Sequence, residues 1–391
     1  MRSEPVSGVR PALLRWARES AHLSILEVAA KLKKDAAEIE AWENGSAAPS
    51  YPQLERLAYE LYKRPLALFF LPEPPDEPSP RTEFRTLPEH DIDALDRHTV
   101  LLIRKARAFQ MALHELFAGR TPAEAPLWRT VRLSATDAVA EQANRIREAL
   151  GVSLAEQKSW RDDDEALKRW RSAIEGAGIF VFKNTFKQKT ISGLCLSNTE
   201  FPVIMVNNST TKTRQIFSLL HEVAHVLFQR NSISTFDQRT IEGLPPVDRA
   251  IERYCNAVAA EVLVPLSDFR NETRSWTGTI ESMDDRRFAA LAERYQVSRA
   301  VVLRRFLDEG RVSVDFYQRK TDAWDAQQKP SGAGGNYYAT QNVYLSERFL
   351  NEVVIRYARR QLTRDEAADF IGVAPRTFSR FEDIVLRKGA A

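Results

Sequence analysis

The sequence predicts an α+β protein that is mainly helical, on three observations. Apolar residues recur at helical spacing over most of the 391 residues, with positions i, i+3 and i+4 sharing a face. Two short helices joined by a tight turn, the helix-turn-helix pattern, can be read within 1–70, 288–307 and 350–386. Runs rich in β-branched and aromatic residues are confined to 179–206 and to short stretches at 337–340 and 343–345.

Size and composition bound the reading. A chain of 391 residues exceeds one ordinary core, and roughly two to four domains are expected. The segments read as 1–70, a Pro-rich linker 71–91, a helical connector 92–150, a catalytic domain 151–275, a helix-turn-helix-like module 276–328 and a C-terminal helical interaction or regulatory module 329–391. Hydrophobic content of 43% and charged content of 28% are those of a soluble globular protein. No apolar run approaches the roughly 20 residues that span a bilayer. Met1 to Pro5 opens no apolar signal region, and Cys195 and Cys255 are too few for a disulfide framework. A cytoplasmic chain is therefore expected. Net charge is only +3, so DNA binding would need a local basic surface.

In the N-terminal segment Leu13, Leu14, Trp16 and Ala17 begin a first helix. Ser24 and Glu27 form a capping box that opens a second, Ile25 to Leu32. A third runs Ala36 to Glu43 and closes at Asn44-Gly45, a pair able to turn left-handed. A fourth follows over Pro52 to Tyr62. Leu26, Val28, Ala29, Ile39-x-x-Trp42-Glu43-x-Gly45 and Pro49 resemble the XRE (lambda-repressor-like) domain. That resemblance implies a third helix in the major groove of DNA, with Lys33, Lys34, Ala37 and Glu38 as candidate contacts. Charge argues the other way. Glu38, Glu40 and Glu43 lie on that helix, and residues 1–70 hold ten Lys/Arg against nine Asp/Glu. Docking or dimerisation is the competing use.

Five prolines in Leu71 to Pro80 make a stiff, extended connector. Helical patterns follow at 92–118, 137–150 and 164–176. His114-Glu115 in the first has no second histidine and is no metal motif. Three short strands come next, Ile179 to Phe182, Gly193 to Leu196 and Pro202 to Val206. Gly193 to Leu196 is the expected edge to which a substrate backbone would add.

The chemistry lies just beyond. In Ile216 to Phe228, His221 and His225 stand four apart on one helix face, and Glu222 follows the first. This H-E-x-x-H arrangement lets two imidazoles share a metal ion beside a carboxylate base. Catalytic zinc wants three protein ligands, so one is missing. Ala250 to Val264, a helix stopped by Pro265, offers Glu252 on the face of Asn256 and Ala259. Glu261 is about half a turn away on that helix. Asp248 and Glu242 are weaker alternatives, and Tyr254, Arg214 and Asn256 are open candidates for stabilising an oxyanion.

Asn207, Arg214, Phe217, His221-Glu222-x-x-His225 and Glu252-x-x-Cys255-Asn256-x-x-Ala259-Ala260-x-x-Leu263-x-Pro265 resemble the ImmA/IrrE family of metallopeptidases over residues 150–310. The resemblance implies a zincin-like peptidase with a small sheet, in which Zn2+ is held by His221, His225 and Glu252 and Glu222 is the catalytic base. It also implies a protein substrate, namely a DNA-binding repressor or an antitoxin whose cleavage regulates transcription or a stress or phage response. Val223-Ala224 and Tyr254-Cys255 depart from the commoner Leu-Gly and Glu-Ala without removing a ligand. Cys255 reads as a small packed residue. The alternative is a DNA-binding regulator that keeps the peptidase fold as a sensor or assembly domain without turnover. DNA, reached through the N-terminal domain, and a second copy of the chain are further candidate partners.

In the C-terminal third, Phe288 to Leu307 repeats the helix-turn-helix pattern around Val297-Ser298, and packing against the peptidase is expected of it as much as DNA contact. Lys329 to Asn336 is a Gly-rich break without the Lys-Ser/Thr ending of a phosphate loop. The last pattern runs from Leu350 through the cap Thr363 and Pro375 to Leu386, and interaction or regulation is favoured for it over DNA.

Overall fold

The computed structural model describes residues 4–77, 84, 92, 95–188, 190–235, 238–326 and 344–389. They divide into two compact units, one of the residues up to 77 with 92–104, the other of Phe84 and 105–389.

The first unit contains α1 (Pro11–Ser20), α2 (Ile25–Leu32), α3 (Ala36–Asn44) and α4 (Tyr51–Glu55), which continues as a π-helical stretch, Arg56–Tyr62. The capping box is formed: the Ser24 side chain accepts from Glu27 N, and the Glu27 carboxylate accepts from Ser24 N at 2.8 Å. Lys33 ends α2 at φ 58°, and Gly45 ends α3 at φ 82°. Leu14, Val28, Leu32, Ile39 and Trp42 close the core between the helices.

Glu43 departs from the sequence reading. It turns inward rather than lying on the outer face of α3, is 5% exposed, and accepts from Arg18 Nε at 2.7 Å and Nη2 at 2.9 Å. Removing one partner of such a pair leaves the other charge buried, at a cost of about 3 kcal/mol or more. Glu43→Ala is expected to lower the denaturant midpoint of the first unit accordingly. A midpoint within error of the parent chain would show that the pair contributes nothing.

Helix α5 comprises Arg97–Leu116. It is followed by α6 (Leu127–Thr130), α7 (Val139–Leu150), α8 (Leu154–Ser159) and α9 (Asp163–Gly176). The sheet consists of β1 (Phe180–Asn184), β2 (Ile191–Leu196), β3 (Val203–Asn207) and β4 (Ser232–Thr235), in the order β1-β3-β2-β4. β1 and β3 are parallel, and β2 runs antiparallel to both its neighbours. The first three strands are buried on both faces, hence their nearly unbroken apolar sequence. Helix α10 (Lys212–Leu227) packs on one face of the sheet. On β1, Phe182 stacks on Phe109 of α5, with centroids 3.8 Å apart.

Two expectations are corrected here. Gly193 to Leu196 is no edge, because β2 lies between β3 and β4. The strand that covers it, β4, was missed because Ser232-Ile233-Ser234-Thr235 carries only one large apolar residue.

Helices α11 (Gln238–Glu242), α12 (Pro246–Leu263) and α13 (Leu266–Glu272) complete the surroundings of α10. Beyond them α14 (Asp285–Tyr295) and α15 (Arg299–Asp308) form the second helix-turn-helix, and α16 (Val314–Ala326) follows it unforeseen. The chain ends in α17 (Glu347–Ala358), α18 (Arg364–Ile371) and α19 (Pro375–Gly389). Arg348 ties this trio to α9: its guanidinium donates to Glu175 O at 2.7 Å and Gly176 O at 3.1 Å, and its N–H to Glu175 Oε2 at 3.0 Å. Tyr344 and Leu345 are not strand, correcting the reading of 343–345 where it is described. The strand at 337–340, the Gly-rich break and most of the Pro-rich linker lie outside the described residues. No described helix is long and apolar enough to cross a membrane.

Candidate metal centre

Two helices build the site. α10 opens where the Thr211 side chain accepts from Arg214 N, and from Ser218 to Leu227 every residue is buried. α12 starts with Pro246 in its first turn, where a missing N–H costs nothing, and stops before Pro265. Cys255 and Ala259 on α12 are small and fully buried, which lets the two helices approach closely.

The four-residue spacing on α10 brings His221 Nε2 and His225 Nε2 to 3.0 Å. Glu252 reaches both from α12, with Oε2 3.3 Å from His221 Nε2 and Oε1 3.1 Å from His225 Nε2. All three side chains are more than nine-tenths buried. Tetrahedral zinc with bonds of about 2.0–2.1 Å sets its ligand atoms about 3.3 Å apart, close to all three separations. Two imidazole nitrogens and a carboxylate are also the donor set of catalytic zinc sites. Both Nδ1 atoms are buried without a hydrogen-bond partner among the described residues.

The electrostatics point the same way. Burial alone would push the His221 imidazole down, but the hydrogen bond and charge of Glu252, with smaller contributions from Glu222 and Asn256, raise it above its ordinary value. Burial alone would raise the Glu252 carboxyl, and the two imidazoles override it and hold Glu252 well below the carboxylate range. The trio thus favours a positive charge at its centre, whether a proton or a metal ion.

The other acidic candidates are engaged elsewhere. Asp248 pairs with Arg230 at 2.7 Å, and Glu242 with Arg253 at 2.8 Å. Glu261 lies on the far side of α12 and pairs with Arg305 at 2.7 Å. Among the described residues, no other group of three His, Cys, Asp or Glu side chains converges in this way.

Glu222 has no exposed surface and faces the sheet. The Ser232 hydroxyl on β4 donates a short hydrogen bond to its Oε2, and Oε1 has no partner among the described residues. A Cβ at position 193 would lie 3.2 Å from Glu222 Oε1 and 3.1 Å from the Met205 carbonyl. Only glycine gives the carboxylate this room without displacing a neighbour. Ser232 escaped the sequence reading along with its strand. Cys195 Sγ lies 3.1 Å from Ser232 Oγ, and burial, then the charge of Glu222, pushes its thiol well up. Burial likewise pushes Cys255 well up, so neither cysteine is a reactive thiolate.

The other singled-out residues lie less centrally. Tyr254 packs edge-on against Phe228 with centroids 5.7 Å apart, about half a turn around α12 from Glu252, and burial pushes its hydroxyl up to about 12. Arg214 stands in the first turn of α10, two turns before His221. In the first unit Lys33 and Ala37 are exposed, while Lys34 pairs with Glu38 at 3.0 Å. No Lys or Arg occurs in α3.

Known families match two segments of the chain. Residues 174–307 match the IrrE N-terminal-like domain, peptidase family M78, and residues 14–60 match a helix-turn-helix. No curated protein matches the chain. The first segment runs from the end of α9 through both site helices to α15, and the second runs from within α1 through α4 into the π-helical stretch. The chain therefore carries a metallopeptidase-type domain of the ImmA/IrrE family behind an XRE-type helix-turn-helix.

Proposed function

We propose that the chain is a zinc-dependent endopeptidase of the cytoplasm that cleaves a protein substrate, a cognate DNA-binding repressor or an antitoxin, and so regulates transcription or a stress or phage response. The observation that carries this reading is the convergence of His221 Nε2, His225 Nε2 and the Glu252 carboxylate beside Glu222.

In this reading His221, His225 and Glu252 hold the zinc. Bound there, zinc supplies Lewis acidity, polarising a carbonyl and lowering the pKa of a water towards about 7. Glu222 takes the proton from the attacking water and passes it to the leaving amine. Ser232 fixes one of its oxygens, and the space over Gly193 keeps the other, Oε1, available for that proton. The helix-turn-helix of 14–60 supports a substrate drawn from transcription control.

The test is metal analysis of the purified chain together with co-expression of products of neighbouring genes, reading out new N-termini. About one zinc per chain and a cleavage that a chelator stops are expected. A chain that binds no zinc when supplied with it, or a cleavage indifferent to chelation, overturns the reading. With a substrate in hand, Ser232→Ala is expected to lower kcat about 10-fold or more while zinc content and KM hold, as for other groups that orient a site residue. An unchanged kcat would show that Glu222 is oriented without it. The complete burial of Glu222 favours one second reading, a regulator that uses the peptidase fold as a sensor without turnover.

A further inference from the structure

The C-terminal trio repeats the geometry of the N-terminal helix-turn-helix position by position. In α2–α3 the cap Ser24 is followed nine residues later by the left-handed Lys33 and twelve later by the first residue of α3, Ala36. In α18–α19 the cap Thr363 is followed nine residues later by the left-handed Gly372, φ 69°, and twelve later by Pro375. Both caps are full capping boxes, closed by Glu27 and Glu366. The buried positions coincide as well. Val28, Ala29 and Leu32 correspond to Ala367, Ala368 and Ile371, and Ile39 and Trp42 to Phe378 and Phe381. The same offset throughout means the same hairpin with the same second helix turned outward.

What the two outward faces carry differs. On α3 the residues between the buried ones are Ala37, Glu38, Glu40 and Ala41, a negative surface. The corresponding residues of α19 are Arg376, Thr377, Ser379 and Arg380, with both arginines exposed. Arg359, Arg360 and Arg364, at and before the start of α18, are exposed too, where the first helix of such a hairpin meets the backbone of a duplex. Arginine, serine and threonine are the side chains that pair with base edges and phosphate oxygens. The hairpin α14–α15 lacks such a face. There Leu303 is fully buried and Arg305, at the position of Trp42, is 5% exposed and paired with Glu261. Its second helix is spent on packing.

We propose that residues 347–389 are a further helix-turn-helix whose helix α19 enters the major groove of double-stranded DNA, and that this module, rather than α3, carries the duplex affinity of the chain. This does not rest on the peptidase reading, since no metal ligand is involved.

The test uses the full-length chain and a labelled pool of random-sequence DNA duplexes, with affinity measured by anisotropy at several salt concentrations. The parent chain is expected to bind with an affinity that falls as salt rises. The double variant Arg376→Glu/Arg380→Glu is expected to bind about tenfold or more weakly, with a salt slope shallower by about 1 for each phosphate it no longer neutralises. Lys33→Ala/Lys34→Ala is expected to bind as the parent does. Should the charge reversal disturb folding, as read by circular dichroism, Arg376→Gln/Arg380→Gln decides in its place. The proposal is overturned if the parent chain shows no salt-dependent binding, in which case the face serves a protein, if the arginine variants bind like the parent, or if the lysine variant loses the affinity instead.

Discussion

Glu222→Gln is expected to reduce cleavage by about 10²- to 10⁴-fold, the range lost when a general base is removed. The substitution is nearly isosteric, and the amide oxygen can still accept from Ser232, so the fold and the trio beside it have no reason to change. What is lost is the ability of the side chain to take a proton. Zinc content should stay at the parent value, because Glu222 makes none of the close contacts within the trio. Cleavage rates and metal content measured on one preparation check both halves. Cleavage at the parent rate would sink the assignment of the base, and loss of zinc with loss of cleavage would make Glu222 part of the metal site. The variant also separates the enzyme from the regulator without turnover: in the latter case any effect on gene expression survives Glu222→Gln unchanged.

The same variant marks the limit of what the sequence makes legible. The i, i+4 spacing places both imidazoles on one face of α10, and the face shared with Asn256 singles out Glu252 among four acidic candidates. The structure brings these three side chains together and engages Asp248, Glu242 and Glu261 in other ion pairs. Helices with clear caps, such as those after Ser24 and Thr363, were legible for the same local reason. The support of Glu222 was not. Ser232 sits on a short strand whose polar alternation carries no strand signal, and its contact with Glu222 crosses from sheet to helix. The place of β2 in the middle of the sheet depends on that same strand. Glu43 shows the converse, since a charged residue on a helix reads as surface until a buried partner, here Arg18, is found at a distance of 25 residues.

Glu252→Ala should have the other large effect, on metal content. It removes one of three ligands and the carboxylate that bridges two buried imidazoles, so zinc is expected to fall from about one per chain to near zero after dialysis. Stability follows by mass action: a ligand present at about 1,000 times its dissociation constant stabilises the folded state by about 4 kcal/mol. The parent chain should therefore lose thermal stability when chelator is added, and Glu252→Ala should not respond to it. Glu261→Ala is the informative control. It lies on the same helix and takes from buried Arg305 its closest carboxylate, so it should destabilise the domain while keeping its zinc. Metal loss in Glu252→Ala alone then reports a ligand, whereas equal loss in both variants would trace it to damage in α12. Full zinc occupancy in Glu252→Ala would remove Glu252 from the site and leave the two histidines in need of a ligand from outside the described residues.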